Sequence, residues 1–236
     1  MGMTVQLSMR LTAIAGMITE GNRLVDVGCD HGYLPVYLIS EKKIPKAIAA
    51  DVGKGPLARA REHIAKYNLG EYIETRLCDG LSGINPGEGD SLVIAGMGGP
   101  LMEKILSANW ETTDSFQELV LQPQSDIPHF RKFLMENGYS IIEEKIILED
   151  GKFYPMMKSV RKQEQDSWTV EELMFGRYLL AEKNPVLHQF LLREMNIQNK
   201  ILTSLRTAET KEALHRRNEI EEEKLLIQAA LDSYES

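Results

Sequence analysis

Three acidic residues close short apolar runs, and glycine follows each within a few positions. Asp26 lies in Leu24-Val25-Asp26-Val27-Gly28-Cys29-Asp30-His31-Gly32, Asp51 precedes Gly53-Lys54-Gly55, and Asp79 precedes Gly80. A fourth run ends without any large polar group, in Ala95-Gly96-Met97-Gly98-Gly99. A chain that bends sharply at glycine lets a nucleotide-like ligand rest against bare main chain. The free amides at the start of the next helix, from Tyr33 onward, then face that ligand. Asp51 falls some two dozen residues after the first glycine, the separation at which a carboxylate can accept from both ribose hydroxyls. Asp79 is placed to accept from an adenine amino group, with Gly80 permitting close approach. The glycine spacing is G-x-x-x-G and not G-x-G-x-x-G, which argues against a dinucleotide, although Asp51 alone would equally suit a nicotinamide cofactor. Any one of these aspartates could instead be a helix N-cap. Agreement among four such loops favours one shared ligand.

For those loops to converge, strands and helices must alternate, because ligands of open α/β sheets bind outside the carboxyl ends of the strands. The pattern does alternate as far as about Val160, as expected for a parallel, helix-flanked sheet. Leu7, Leu11, Ile14 and Ile18 predict an opening amphipathic helix. Strands are predicted over 23–27, 47–51, 72–77, 91–95 and 119–122. Helices are predicted from Tyr33 to Ser40, from Pro56 to Tyr67 and from Asp126, as cap, to Asn137 before Gly138. Pro35 is tolerated in a first helical turn. Segments 140–148 and 152–160 meet across Glu149-Asp150-Gly151, a hairpin signal. A parallel sheet finished by a late antiparallel hairpin is the outline of a class I, Rossmann-like methyltransferase and is uncommon in dehydrogenases. An acidic residue followed by Gly-x-x-x-Gly is also what S-adenosylmethionine sites look like on that fold. The missing side chains of Ala95 to Gly99 then leave room for the methionine end of the cofactor and for an incoming acceptor.

Beyond Arg161 strand patterning stops. A polar linker, 162–167, leads to two predicted long helices, 185–206 and 207–234. Ile220, Ile227, Leu231 and Tyr234 share one face of the second, and Leu187, Leu191, Ile201 and Leu205 one face of the first, which predicts a helical hairpin or short coiled coil. The expected division is therefore a ligand-binding domain over 1–161 and a helical domain over 168–236. Glu219 and Glu221 to Glu223 form an acidic block that would repel nucleic acid locally.

With 236 residues, 43% of them apolar, the chain can bury one full α/β core and a smaller appendage. No run approaches the ~18 apolar residues of a membrane span, and residues 1–10 lack a signal-peptide pattern. Two cysteines, Cys29 and Cys78, make neither a zinc cage nor a disulfide scaffold, so no metal is expected and a reduced, cytoplasmic setting is. A net charge of −8 gives no general affinity for nucleic acid, so any such contact needs a local basic patch. Candidates are Lys42, Lys43 and Lys46; Arg59 and Arg61; Arg131 and Lys132; Arg161 and Lys162; Arg216 and Arg217; and the Arg193, Lys200, Arg206 and Lys211 side of the helical hairpin.

Taken in order, Leu7-Ser8-x-Arg10-Leu11, Asp26-Val27-Gly28-x-Asp30-His31-x-Tyr33-Leu34-Pro35, Lys54-Gly55-Pro56, Asp79-Gly80-Leu81, Ile94-Ala95-Gly96-Met97-Gly98-Gly99 and Leu121-Gln122-Pro123 resemble one family across the whole chain. That family is the bacterial tRNA adenine-N1 methyltransferases acting on adenine 22 of the D-arm. The resemblance implies S-adenosylmethionine as cofactor, tRNA as substrate, and a cofactor site built from Arg10, Asp26, Gly28, Asp30, His31, Gly32, Asp51, Asp79, Gly80, Ala95, Gly96 and Met97. Enzymes that methylate exocyclic amines carry Asn- or Asp-Pro-Pro-aromatic after the fourth strand. Its absence here suits a ring nitrogen, which brings its own lone pair. Methylation at N1 leaves the base cationic until N6 loses a proton, and Asp30 is the expected catalytic carboxylate. Asp30 could instead cap the helix that begins near Tyr33, and His31 could hold the turn. Tyr33 or the Gln122-Pro123 turn is expected to hold the target base, and Arg10 to meet the cofactor carboxylate or a phosphate. A small-molecule methyltransferase, a nicotinamide oxidoreductase and a catalytically silent binding protein are the competing readings.

Overall fold

In the computed structural model, which describes residues 5–162, 167–206 and 210–235, five strands run parallel: β1 (Leu24–Val27), β2 (Ala47–Asp51), β3 (Ile73–Leu77), β4 (Ser91–Met97) and β5 (Glu118–Pro123). Two long antiparallel strands, β6 (Tyr139–Glu149) and β7 (Lys152–Arg161), complete the sheet in the order β3-β2-β1-β4-β5-β7-β6. β1 and β5 are buried along their whole length, as their near-continuous apolar runs require of strands covered on both faces. The hairpin turns at Asp150 and Gly151, both at positive φ, the two-residue turn whose twist matches the flanking strands. Chain order reverses between β1 and β4, so the crevice of this sheet opens at their carboxyl ends.

Among the described residues, six helices accompany the sheet: α1 (Met9–Ala15), α2 (Tyr33–Ser40), α3 (Lys54–Lys66), α4 (Gly99–Ser107), α5 (Trp110–Asp114) and α6 (Ile127–Glu136). The opening helix is shorter than the apolar pattern predicts, because the Ser8 side chain caps it by accepting from the Leu11 amide and Gly16 ends it. Helices α4 and α5 are absent from the sequence-based expectation. The Gly98-Gly99-Pro100 opening reads as loop, yet Met102, Ile105 and Leu106 bury one stripe of α4. Asp126 does not cap α6 with its carboxylate, and its own φ is 51°. Proline in the first turn of α6 removes one of the amides that a cap would satisfy.

Arg131 corrects a further expectation. It is 1% exposed on α6 and ion-paired to the buried Glu144 of β6 at 2.8 Å, so Arg131 and Lys132 do not form a surface pair for RNA. A buried charge needs such a partner.

The chain divides into two units, Met1–Asp166 and Ser167–Ser236. Residues 163–166 of the predicted linker and Thr207, the predicted start of the last helix, lie outside the described residues. The second unit holds α7 (Val170–Phe175), α8 (Arg177–Ala181), α9 (Pro185–Ser204) and α10 (Lys211–Glu235). α7 opens on a capping box, Thr169 with Glu172, a Thr-x-x-Glu signal legible in the sequence. α9 and α10 pack antiparallel. Gln198 Nε2 donates to Glu223 at 2.7 Å, and near the opposite ends Tyr234 Oη donates to the Asn184 carbonyl at 2.9 Å. Leu187, Leu191, Ile220 and Ile227 are buried, and the other four predicted face residues are half-buried. No helix among the described residues is long and apolar enough to cross a membrane.

Candidate active site

The carboxyl ends of β1, β2 and β4 lie in register, with Val27 paired to both Ala50 and Ile94. Immediately after β1 the chain folds back: the Gly28 and Cys29 amides both donate to the Ala50 carbonyl, at 2.9 and 3.1 Å. Gly28 sits at φ 76°, and a Cβ there would come within 2.3 Å of Met97 Cε. A side chain at this position would be strained and would fill the gap between the β1 and β4 ends.

Asp51, at the tip of β2, organises the turn beside it. One carboxylate oxygen accepts from the Gly53 amide at 2.7 Å and the other from the Asp30 amide at 3.3 Å. The same residue's main-chain carbonyl accepts from Cys78, which brings the Asp79 loop alongside. Asp79 is exposed. Gly80 has φ 56°, and a Cβ there would press on Ile105 of α4 at 3.1 Å. Its freedom is therefore used inside the protein, to pass under α4.

Asp30 itself adopts φ 47°, a left-handed conformation that Asp and Asn tolerate best among non-glycine residues. Its exposed carboxylate lies 3.2 Å from Arg59 Nη2 on α3 and 3.6 Å from His31 Nε2. Arg59 Nε donates to His31 Nε2 at 3.1 Å, which closes an Asp–Arg–His triangle on the rim of the crevice. Gly32, buried, ends the turn at the cap of α2.

Across the crevice, Arg10 of α1 donates to Gln122 Oε1 at 3.2 Å, and the Gly96 amide donates to the same oxygen at 3.1 Å. The Gln122 amide nitrogen donates to the Pro123 carbonyl at 3.0 Å, so the buried side chain uses both its ends. The Arg10 guanidinium also lies 5.8 Å from the Tyr154 ring centroid. The β4 end carries a register shift between Ala95 and Met97, which bends the strand at Gly96. Sequence alone puts Arg10 and Gly96 in one site and the Gln122-Pro123 turn against the target base, without joining the three. No local signal could do so, because the contact spans 112 residues of chain.

Asp26 is the electrostatic centre of the group. Burial, and then the nearby Asp51 charge, push its carboxyl up to about 7, with Arg10 pulling the other way. The Cys29 thiol is raised by the same burial and by the Asp26 charge, which keeps it protonated and unreactive at neutral pH. A carboxyl held this high is poised to ionise when a positive group arrives. Bare main chain at Gly28, an accepting carboxylate at Asp51 and a donating guanidinium at Arg10 complete a set of polar groups suited to a cationic amino-acid nucleoside. Of the predicted residues, Asp26, Gly28, Asp51 and Gly96 lie about the ends of β1, β2 and β4 and Asp30 and His31 in the turn after β1, where Arg59, expected only as half of a basic surface pair, joins them.

Three comparisons bear on this geometry. Residues 7–157 match the family described as a methyltransferase domain. A tRNA (adenine(22)-N(1))-methyltransferase of Bacillus subtilis is 32% identical over 97% of this chain and 98% of its own length. The crystal structure of the B. subtilis m1A22 tRNA methyltransferase TrmK superposes with a TM-score of 0.86 at 31% identity, covering 96% of this chain and 99% of that one. TrmK of M. capricolum, solved with S-adenosyl-homocysteine, gives a TM-score of 0.85 at 26% identity over 97% and 99% of the two chains. With a seven-stranded sheet whose order reverses between β1 and β4, a methyltransferase-domain match over residues 7–157 and likeness that runs the length of both units, the chain belongs to the tRNA (adenine-22 N1)-methyltransferase family.

Proposed function

We propose that this protein transfers a methyl group from S-adenosylmethionine to N1 of an adenine in tRNA, adenine 22 of the D-arm, and that it does so in the cytoplasm. The observation that carries the reading is the 32% identity to the B. subtilis enzyme over 97% of the chain, helical unit included. When bound, the cofactor supplies a methyl group already activated on a sulfonium centre.

The chain's own residues then have three tasks. Asp51 fixes a sugar by its carboxylate, which the Gly53 and Asp30 amides hold in place. The Gln122 bridge keeps Arg10 and the Gly96 amide together on the other wall. Positioning of this kind supplies most of the acceleration for a nucleophile that needs no prior deprotonation. Adenine N1 is such a nucleophile, with an in-plane lone pair. Because N1 lies on the pairing edge, the base must leave its stack to reach the crevice. The N1–methyl bond would form as the methyl–sulfur bond breaks and its electron pair stays on sulfur, and the positive charge then carried by the base is relieved when N6 gives up a proton. Asp30, on the rim, is the acceptor, and water takes the proton from there.

Transfer of labelled methyl from S-adenosylmethionine to unmodified bacterial tRNA, followed by nucleoside analysis, tests the reading. The expected product is 1-methyladenosine, and cofactor binding without labelled tRNA would overturn it. The long α9–α10 pair, whose Arg193, Lys200, Arg206 and Lys211 are exposed, is assigned a grip on tRNA. Truncation after Lys162 is expected to weaken tRNA binding about tenfold or more, the loss of two or three phosphate contacts, while cofactor binding survives. Filter binding with and without the helical unit measures this, and equal tRNA affinity would remove the role.

A further inference from the structure

A continuous ladder of rings runs from the rim of the crevice along α2 and α3. His31 stacks on Tyr33 with centroids 5.4 Å apart, Tyr33 meets His63 edge-on at 4.6 Å, and His63 meets Tyr67 at 5.1 Å. Tyr33 is 41% exposed, unusual for a ring at the start of a helix whose other apolar residues are mostly buried.

Charge accompanies the ladder. α3 carries Lys54, Arg59, Arg61 and Lys66 against the single acid Glu62, in a chain whose net charge is −8. Arg59 shares its charge with Asp30, and Arg61 donates to Thr75 Oγ1 at 2.9 Å. Lys66 lies 5.9 Å from the Tyr67 ring centroid, at the far end of the ladder. Flat rings flanked by cations are the physical signature of a surface that holds unpaired bases by stacking and their phosphates by charge.

We propose that the Tyr33–His63–Tyr67 ladder, with Lys66 and Arg59, is the docking face for the tRNA strand that flanks the target adenine. The proposal rests on the methyl-transfer reading and extends it to the substrate. Two features carry it. The ladder is continuous with the site, since its first ring, His31, is bonded through Arg59 to the turn that carries Asp30. Its charge is also opposite in sign to that of the chain as a whole, so the patch complements a polyanion. Stacking requires the base next to the target to be splayed from its neighbour, which a base turned out of its stack already begins.

Fluorescence anisotropy with unmodified tRNA tests the surface on the full chain. Tyr33→Leu keeps apolar bulk but removes the flat face, and is expected to weaken tRNA binding between about five- and 150-fold, the range for loss of one stacked base. Tyr33→Phe should restore it. Lys66→Gln should lower the slope of log affinity against log salt by about 1. Cofactor affinity, measured in parallel, reports that each variant is folded. If wild type methylates tRNA while Tyr33→Leu and Lys66→Gln bind it within twofold of wild type with the same salt slope, the docking face is wrong and the activity stands. If wild type methylates no tRNA, the activity itself fails. Should Tyr33→Leu not fold, Lys66→Gln alone decides the face.

Discussion

Asp30→Ala is expected to lower methyl transfer to tRNA by between about 10²- and 10⁴-fold, the range for loss of a positioned proton-transfer group. Cofactor affinity should stay within a few fold, because the Asp30 side chain lies on the rim and pairs with Arg59 at 3.2 Å, away from the Asp51 bonds that organise the turn. Alanine changes two things at once, however. At φ 47° it also brings about 1–2 kcal/mol of backbone strain that Asp does not suffer to the same degree. Asp30→Asn separates the two. Asparagine tolerates the left-handed turn and can still accept from Arg59, but it cannot take up the proton that N6 releases. If chemistry is the role, single-turnover rates for Asn and Ala fall together. If conformation is the role, Asn remains near wild type, and the catalytic assignment is lost.

The strands that build this site are legible in the sequence because glycine punctuates each of them and because buried parallel strands read as short apolar runs. Asp26, Asp51 and Asp79 stand at or near strand ends for that reason, and the order of the loops follows from a parallel sheet. What resisted reading was whatever depends on distant partners. Arg131 looks like surface in sequence, and only the Glu144 carboxylate, buried on β6, explains its place in the core. Gln122 is one residue of an apolar run until Arg10 and Gly96 meet on its side-chain oxygen. The ring ladder was invisible for the same reason, since His31 and Tyr33 belong to α2 and its approach while His63 and Tyr67 belong to α3 and its end. α4 was lost to a different cause. Its Gly-Gly-Pro opening carries loop chemistry although the residues after it have a helical stripe. Local chemistry thus located the crevice, and tertiary contacts supplied the links between its walls.

Asp26, which feels both the Asp51 and the Arg10 charge, is where the largest effect on stability is expected. With burial holding its carboxyl near 7 in the folded protein and about 3.9 as the ordinary value in an unfolded chain, the folded state binds this proton more tightly. The group's contribution to stability is therefore complete below about pH 4, declines as pH rises toward 7, and is lost above it. Three pKa units set an upper limit of about 4 kcal/mol on the loss. Asp26→Asn stays neutral throughout, so the ligand-free variant should gain on wild type steadily from pH 4 to 7, and the gap should then stop widening. The difference between the two melting curves isolates Asp26 from groups that titrate alongside it, such as His63, whose burial lowers its pKa and whose effect runs the opposite way. Cofactor binding must follow the reverse sense. A cationic ligand favours the ionised carboxylate, so affinity should climb as pH rises toward 7, by at most tenfold per unit, and level off above. In the Asn variant that slope should vanish and affinity at pH 8 should fall. Parallel melting curves for wild type and variant, or an unchanged slope for cofactor binding, would show that the proton resides elsewhere. The two measurements together ask whether the site trades stability of the empty protein for affinity toward a positive ligand, which is what a buried carboxyl beside Asp51 and Arg10 is built to do.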